Sequence, residues 1–213
     1  NNKYLSRNDS AVRLGSGSNI DLSSSNGGVG IYANNTRLKG EGILSVGNSG
    51  VGLYAKDSDV NLNNFTLNLN GDKALGFYLD GNTNFTGNGN ININGNGILV
   101  FNINSNGTFT NDFIINSSAG STYTLGNVAD NTFRYTGSAS LAGNGSFIYG
   151  KNSAVLLDTG SVINAAEDNV VGISMEGQYN GSLPSGFQSG VDAENKGDIT
   201  LTGSNSAGIY AVN

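Results

Sequence analysis

The chain has no cysteine, no histidine and no tryptophan, and proline occurs once. Without Cys there is neither a disulfide staple nor a thiolate metal site. Without His the commonest general base and metal ligand is missing. Composition therefore weighs against an enzyme, and neither a metal nor a cofactor is expected. A single Pro excludes polyproline and collagen-like segments. Charged residues make up 12% of the chain, where about 25% is usual. The net charge is −6 with only ten Lys and Arg, and these are scattered. A nucleic-acid surface needs clustered cations to displace counterions, so no nucleic-acid partner is expected. No apolar run approaches the roughly 18 residues of a membrane-spanning helix.

Glycine is abundant at 33 residues, and asparagine accounts for about one residue in six. Both are spread through a repeat. "GVGIYA" (28–33) returns as "GVGLYA" (50–55), "ALGFYL" (74–79), "NGILVF" (96–101), "GSFIYG" (145–150), "VVGISM" (170–175) and "SAGIYA" (206–211). Aligned on the fourth residue, the anchors are Ile31, Leu53, Phe77, Ile98, Ile148, Ile173 and Ile209, with a degenerate one at Tyr123. A period in the twenties is the mark of a solenoid. Between anchors, "VNLNNFTLNLN" and "NININGNGILVFNIN" alternate apolar and polar residues, which is the strand period. "NGG", "GNSG", "NGD" and "NGNG" interrupt them with turn chemistry. Leucine-rich repeats share the period, but their Leu-rich consensus with a fixed Asn is missing. The expected fold is all-β: a right-handed parallel β-helix of about eight coils of 21–25 residues. Stacked coils bury apolar faces that one coil cannot bury alone.

Strict alternation puts Val29, Ile31 and Ala33 on the interior face, with Val51, Leu53 and Ala55 above them. It turns Tyr32, Tyr54, Tyr78, Leu99, Tyr149 and Tyr210 outward, as a ladder beside a row of glycines. The spacing from Ile173 to Ile209 is 36 residues, and the excess lies in "EGQYNGSLPSGFQSG" (176–190). An insertion of this kind projects from a solenoid as a loop. A coil needs only 22 to 25 residues, so the excess is expected to have no necessary role in the core.

Two binding candidates follow. Tyr32, Tyr54 and Tyr78 offer a platform for sugars, although stacked Tyr also simply stabilise neighbouring strands. The insertion, with Tyr179, Leu183, Pro184 and Phe187, offers a contact loop on a rigid scaffold, or else a tolerated surface insertion. Asp57 and Asp59, with Asp80 one coil on, resemble a carboxylate pair for glycoside hydrolysis or a weak calcium site. The spacing is common by chance, and an ordinary solvated turn is the expected reading. The abundant Asn are assigned to turns, where Asn tolerates left-handed backbone, and to ladders between coils.

"GVGIYA", "GVGLYA" and "AGIYAVN", each followed by Asn-, Asp- or Ser-rich turns, resemble the repeats of bacterial autotransporter (type V secretion) passengers. The Asn-rich version is similar to the large fusobacterial adhesins. The resemblance covers nearly the whole chain. It implies a single β-helix segment spanning 1–213, excised from a longer passenger. That passenger would be displayed on the bacterial surface, attached to the outer membrane through a C-terminal β-barrel outside this segment. It would be monomeric and would bind a host-cell or bacterial surface protein or glycan. The absence of Cys agrees, because a loop closed in the oxidising periplasm obstructs export through the barrel. The alternatives are a β-helical polysaccharide lyase or glycoside hydrolase, and an ice-binding solenoid. The first needs a cleft of clustered charges, and the second needs Thr-x-Thr rows in register.

Overall fold

The computed structural model describes residues 11–118, 123–143 and 145–212. Among them there is no helix, and every strand pairing is parallel. The chain is a parallel β-solenoid with three stacked ladders. One is an eight-stranded sheet built from Val29–Asn34, Val51–Lys56, Leu75–Gly81, Ile98–Ser105, Tyr123–Ala129, Gly145–Lys151, Val171–Glu176 and Ala207–Val212. The other two run through a 13-stranded sheet. Early in the chain they are joined, because Arg37–Val46, Asp59–Leu69 and Asn84–Ile93 each bend through two faces at a shift in register. Later they separate into short pairs such as Thr132–Tyr135 and Ser138–Leu141.

The eight-stranded ladder runs Ile31, Leu53, Phe77, Phe101, Gly126, Ile148, Ile173, Ile209. Two expected anchors are thus displaced. Ile98 and Tyr123 do pair with each other, but Phe101 sits over Phe77 and Gly126 under Ile148. The cause is a feature that strict alternation leaves out. In these strands two adjacent residues face inward: Gly52 and Leu53, Gly76 and Phe77, Val100 and Phe101, Phe147 and Ile148, Gly172 and Ile173. Gly marks the extra inward position at 52, 76 and 172. In "ILVF" Val100 fills it and in "SFIY" Phe147 does, so the pattern no longer shows where alternation breaks.

The same break corrects the assignment of faces. Val29 is 42% exposed, and Val51, Leu75 and Val171 are half-buried. Gly52, Gly76 and Gly172 lie inside. A Cβ on Gly52 would meet the side chains of Leu44 and Leu67 at 3.2 and 3.3 Å and the Gly76 carbonyl at 2.7 Å. Glycine therefore lets this ladder approach the leucines of the opposite face.

The middle of the core is aromatic. Phe85, Phe109 and Phe133 stack at 4.8 and 4.9 Å between ring centres, and Phe77 stacks on Phe101 at 5.3 Å. Phe101 meets Phe109 edge-on, which joins the two stacks across the interior. Asparagine plays both expected parts. Asn35, Asn64, Asn152, Asn169 and Asn205 adopt positive φ. Asn92 donates to Asn68, Asn94 to Asn70, and Asn88 to Asn63, each from one coil to its neighbour.

Candidate functional site

The corner that leads out of the eight-stranded sheet is built alike in most coils. Its first residue takes the left-handed conformation: Asn35, Asp57, Asp130 and Asn152 have φ of 49°, 49°, 52° and 48°. Asn and Asp tolerate this region better than other side chains. Their N–H groups donate to carbonyls of the adjacent coil, Asn35 to Lys56 and Asp130 to Lys151 among them. The next residue normally carries a buried hydroxyl. The Ser58 Oγ accepts the Thr36 N–H, the Thr83 Oγ1 accepts the Ser58 N–H, and the Ser105 Oγ accepts the Thr83 N–H, at 2.9–3.2 Å. The ladder satisfies backbone donors that would otherwise be orphaned inside.

The insertion replaces this two-residue corner between Glu176 and Ala193. It is an ordered loop. The Asp192 carboxylate accepts the Tyr179 N–H at 3.2 Å and so ties the start of the loop to its end. Lys196 Nζ donates to the Gly186 carbonyl at 3.0 Å, and a turn closes with Phe187 N–H on Pro184. Tyr179, Leu183, Pro184 and Phe187 are half-buried. The loop also lies over the outside of a coil. Leu156 follows Arg134 in an outward register column yet is 0% exposed. A Cβ on Gly186 would lie 3.9 Å from its Cδ2. The insertion thus has a packing role outside the core: it lies over an apolar side chain that would otherwise face water.

Between the insertion and the corner column lies a cleft of about 570 Å³. Residues 178–182 form one wall, and Asn106, Asp130, Asn131 and Asn152 line the other side. Asn131 interrupts the hydroxyl ladder, since Thr36, Ser58, Thr83 and Ser153 hold the matching position in other coils. It is 3% exposed. Its Oδ1 accepts the Thr132 N–H at 2.6 Å, while its Nδ2 has no partner. Tyr179 is fixed in the opposite wall by its hydroxyl, which donates to the Ser182 carbonyl at 3.2 Å. The ring lies so close over Gly181 that a Cβ there would sit 2.5 Å from Cζ.

The other candidates are engaged within the ladders. Tyr32 and Tyr54 stack at 5.3 Å, nearly parallel, and Tyr54 and Tyr78 at 5.1 Å. Beyond Tyr78 the column continues as Asn102 and Asn127, bonded to each other at 3.2 Å. The Tyr faces lie toward one another, so ring edges and hydroxyls meet solvent. Tyr54 donates to Asp80 at 3.0 Å, and burial, with that carboxylate next, raises its pKa. Asp57 Oδ1 accepts the Asn82 N–H, and Asp59 Oδ1 accepts the Asn84 Nδ2. These three carboxylates each serve a neighbouring coil. Tyr149 donates to Glu176 at 2.5 Å, which raises the phenol and lowers the carboxylate. Among the described residues no three His, Cys, Asp or Glu are grouped to hold a metal ion.

The tyrosines 32, 54 and 78 form one group and the insertion residues another, on different parts of the surface. Sequence reasoning missed Asp130, Asn131 and Asn152 because each looks like another turn residue in an Asn-rich chain. The available signal was Asn131 itself, a carboxamide in a column of hydroxyls. No protein-family model matches the chain, and no curated protein matches it significantly.

Proposed function

We propose that this chain is a segment of a surface-displayed autotransporter passenger, an adhesin scaffold without catalysis, and that its insertion contacts the partner. The observation that carries this reading is the loop at 176–190. It is long, ordered and aromatic, and it stands where the other corners need two or three residues. Rigid scaffolds place their binding groups on such loops. The repeat resemblance and the absence of Cys support display at the cell surface, and the partner is a host-cell or bacterial surface protein or glycan.

The test is adhesion. In the complete displayed passenger, residues 178–188 are replaced by a short Gly-Ser turn and Leu156 by Thr, which keeps the uncovered position polar. Adhesion to host cells and partner bacteria should fall sharply while the passenger remains folded. Full adhesion would remove the loop from consideration.

The enzymatic alternative is tested separately. The ladder bonds of Asp57 and Asp59 account for both carboxylates without chemistry. Incubation with uronate polymers and neutral polysaccharides should give no product. Turnover that disappears on replacing both residues with Asn would reverse the assignment.

A further inference from the structure

We infer that the cleft between the insertion and the Asn131 corner is a binding site for an uncharged oligosaccharide. This deepens the reading of the insertion as a contact loop and rests on it. Three observations carry the inference.

The first is Asn131. A hydroxyl at this corner accepts a backbone N–H from the neighbouring coil and leaves nothing unpaired, as Ser58, Thr83 and Ser105 do. A carboxamide brings two donor hydrogens, and the Nδ2 of Asn131 is buried without a partner. An unmade hydrogen bond at a buried group is costly. Asn131 is among the residues lining the cleft, so a turn of its carboxamide toward the opening would let a ligand supply the acceptor and offset that cost. Asn111 is also buried without partners, but its hollow is only about 240 Å³ and has no aromatic wall, so the orphan alone does not define a site.

The second is the chemistry of the lining. Asn106, Asn131, Asn152 and Gln178 each pair a donor with an acceptor on one planar group, and Asp130 adds an acceptor. Vicinal hydroxyls pair one donor and one acceptor in the same way. The side chains lining the cleft are all polar apart from the ring of Tyr179, so there is no apolar pocket for the side chains of a peptide. No cation lines it, which excludes recognition of a phosphate or a uronate by charge. Tyr179 supplies the single aromatic wall on which the C–H face of a sugar packs.

The third is dimension and rigidity. A volume of about 570 Å³ lies in the usual range of roughly 300–1,000 Å³ for small-ligand sites. Asn106, Asp130 and Asn152 belong to three successive coils, whose backbones lie about 4.8 Å apart, so the polar lining extends along the axis over a length that suits a short oligosaccharide. Tyr179 is held by Gly181 and Ser182 and Asn131 by the core, so little order has to be gained on binding.

The experiment uses the purified 213-residue chain and saturation-transfer difference NMR. The probes are neutral oligosaccharides of hexoses and N-acetylhexosamines, beside uronate oligosaccharides and short peptides. Saturation transfer is expected from neutral oligosaccharides alone. Asn131→Ser restores the hydroxyl of the ladder, so melting should hold while affinity falls tenfold or more. Tyr179→Ser should weaken binding similarly. Transfer from no neutral oligosaccharide, preferential binding of peptides, or wild-type affinity in Asn131→Ser would each overturn the proposal and leave water as the partner of Asn131. Adhesion lost on trimming 178–188 but retained in Asn131→Ser would keep the loop as the contact and reject the sugar cleft. Sugar binding to the cleft without any loss of adhesion on trimming would do the reverse.

Discussion

Leu53 and Tyr54 are neighbours in the chain and meet opposite environments. Leu53 is fully buried in the core, whereas Tyr54 stacks at the surface between Tyr32 and Tyr78. Leu53→Asp should destabilise by about 4 kcal/mol or more, since it buries an unpaired charge and empties a core position. Tyr54→Ser should cost about 1 kcal/mol, the scale of a cross-strand aromatic contact. Denaturant titration of both variants checks this, and equal losses would contradict the faces described. Tyr135 gives a pH-dependent counterpart. It is fully buried and donates to the Phe113 carbonyl at 2.7 Å. Burial, with Asp112 a lesser cause, pushes its phenol far above the ordinary value. The unfolded chain ionises near pH 10, while the folded chain holds the proton. The stability contributed is complete below pH 10 and declines as pH rises beyond it toward the folded pKa. Melting temperature should drop above pH 10, and the drop should be shallower in Tyr135→Phe.

The elements were partly legible in the sequence. "VNLNNFTLNLN" alternates on either side of Asn63 and Asn64 and falls almost wholly in one long bent strand, Asp59–Leu69, with Leu62, Leu67 and Leu69 inside. The hexapeptide echoes mark the eight-stranded ladder. What alternation could not reveal is the paired inward residues, because Gly52 contributes no side chain to the pattern and Val100 fills its place without a sign. A spacing of 24 did carry more than was read from it: Phe85, Phe109 and Phe133 stand that far apart and stack. The cleft was less legible still, since it depends on where a loop folds back and not on any local motif. "AVLL" held one clue. An apolar residue in an outward column implies a cover, and Leu156 has one. Trimming 178–188 alone should therefore cost about 1.5–3 kcal/mol, the value of burying a leucine. Leu156→Thr should cost a similar amount in the intact chain and little in the trimmed one, where the side chain is exposed in the folded and unfolded states alike. An equal loss from Leu156→Thr in both backgrounds would show that the loop is not the cover.

Across the whole molecule, the three ladders make a rod whose sides are regular and whose one described long corner loop is the insertion. Phe stacks, hydroxyl columns and Asn ladders all run along the axis, so each coil supports the next. Such a scaffold holds a loop at a fixed height and angle. In the proposed function the partner is met at the insertion. Competition measures it directly: the purified chain is added to cells displaying the complete passenger, and their adhesion is recorded. The wild-type chain should inhibit adhesion in a concentration-dependent way, and the chain trimmed at 178–188 with Leu156→Thr should not. Equal inhibition by both, or none by the wild-type chain, would contradict it.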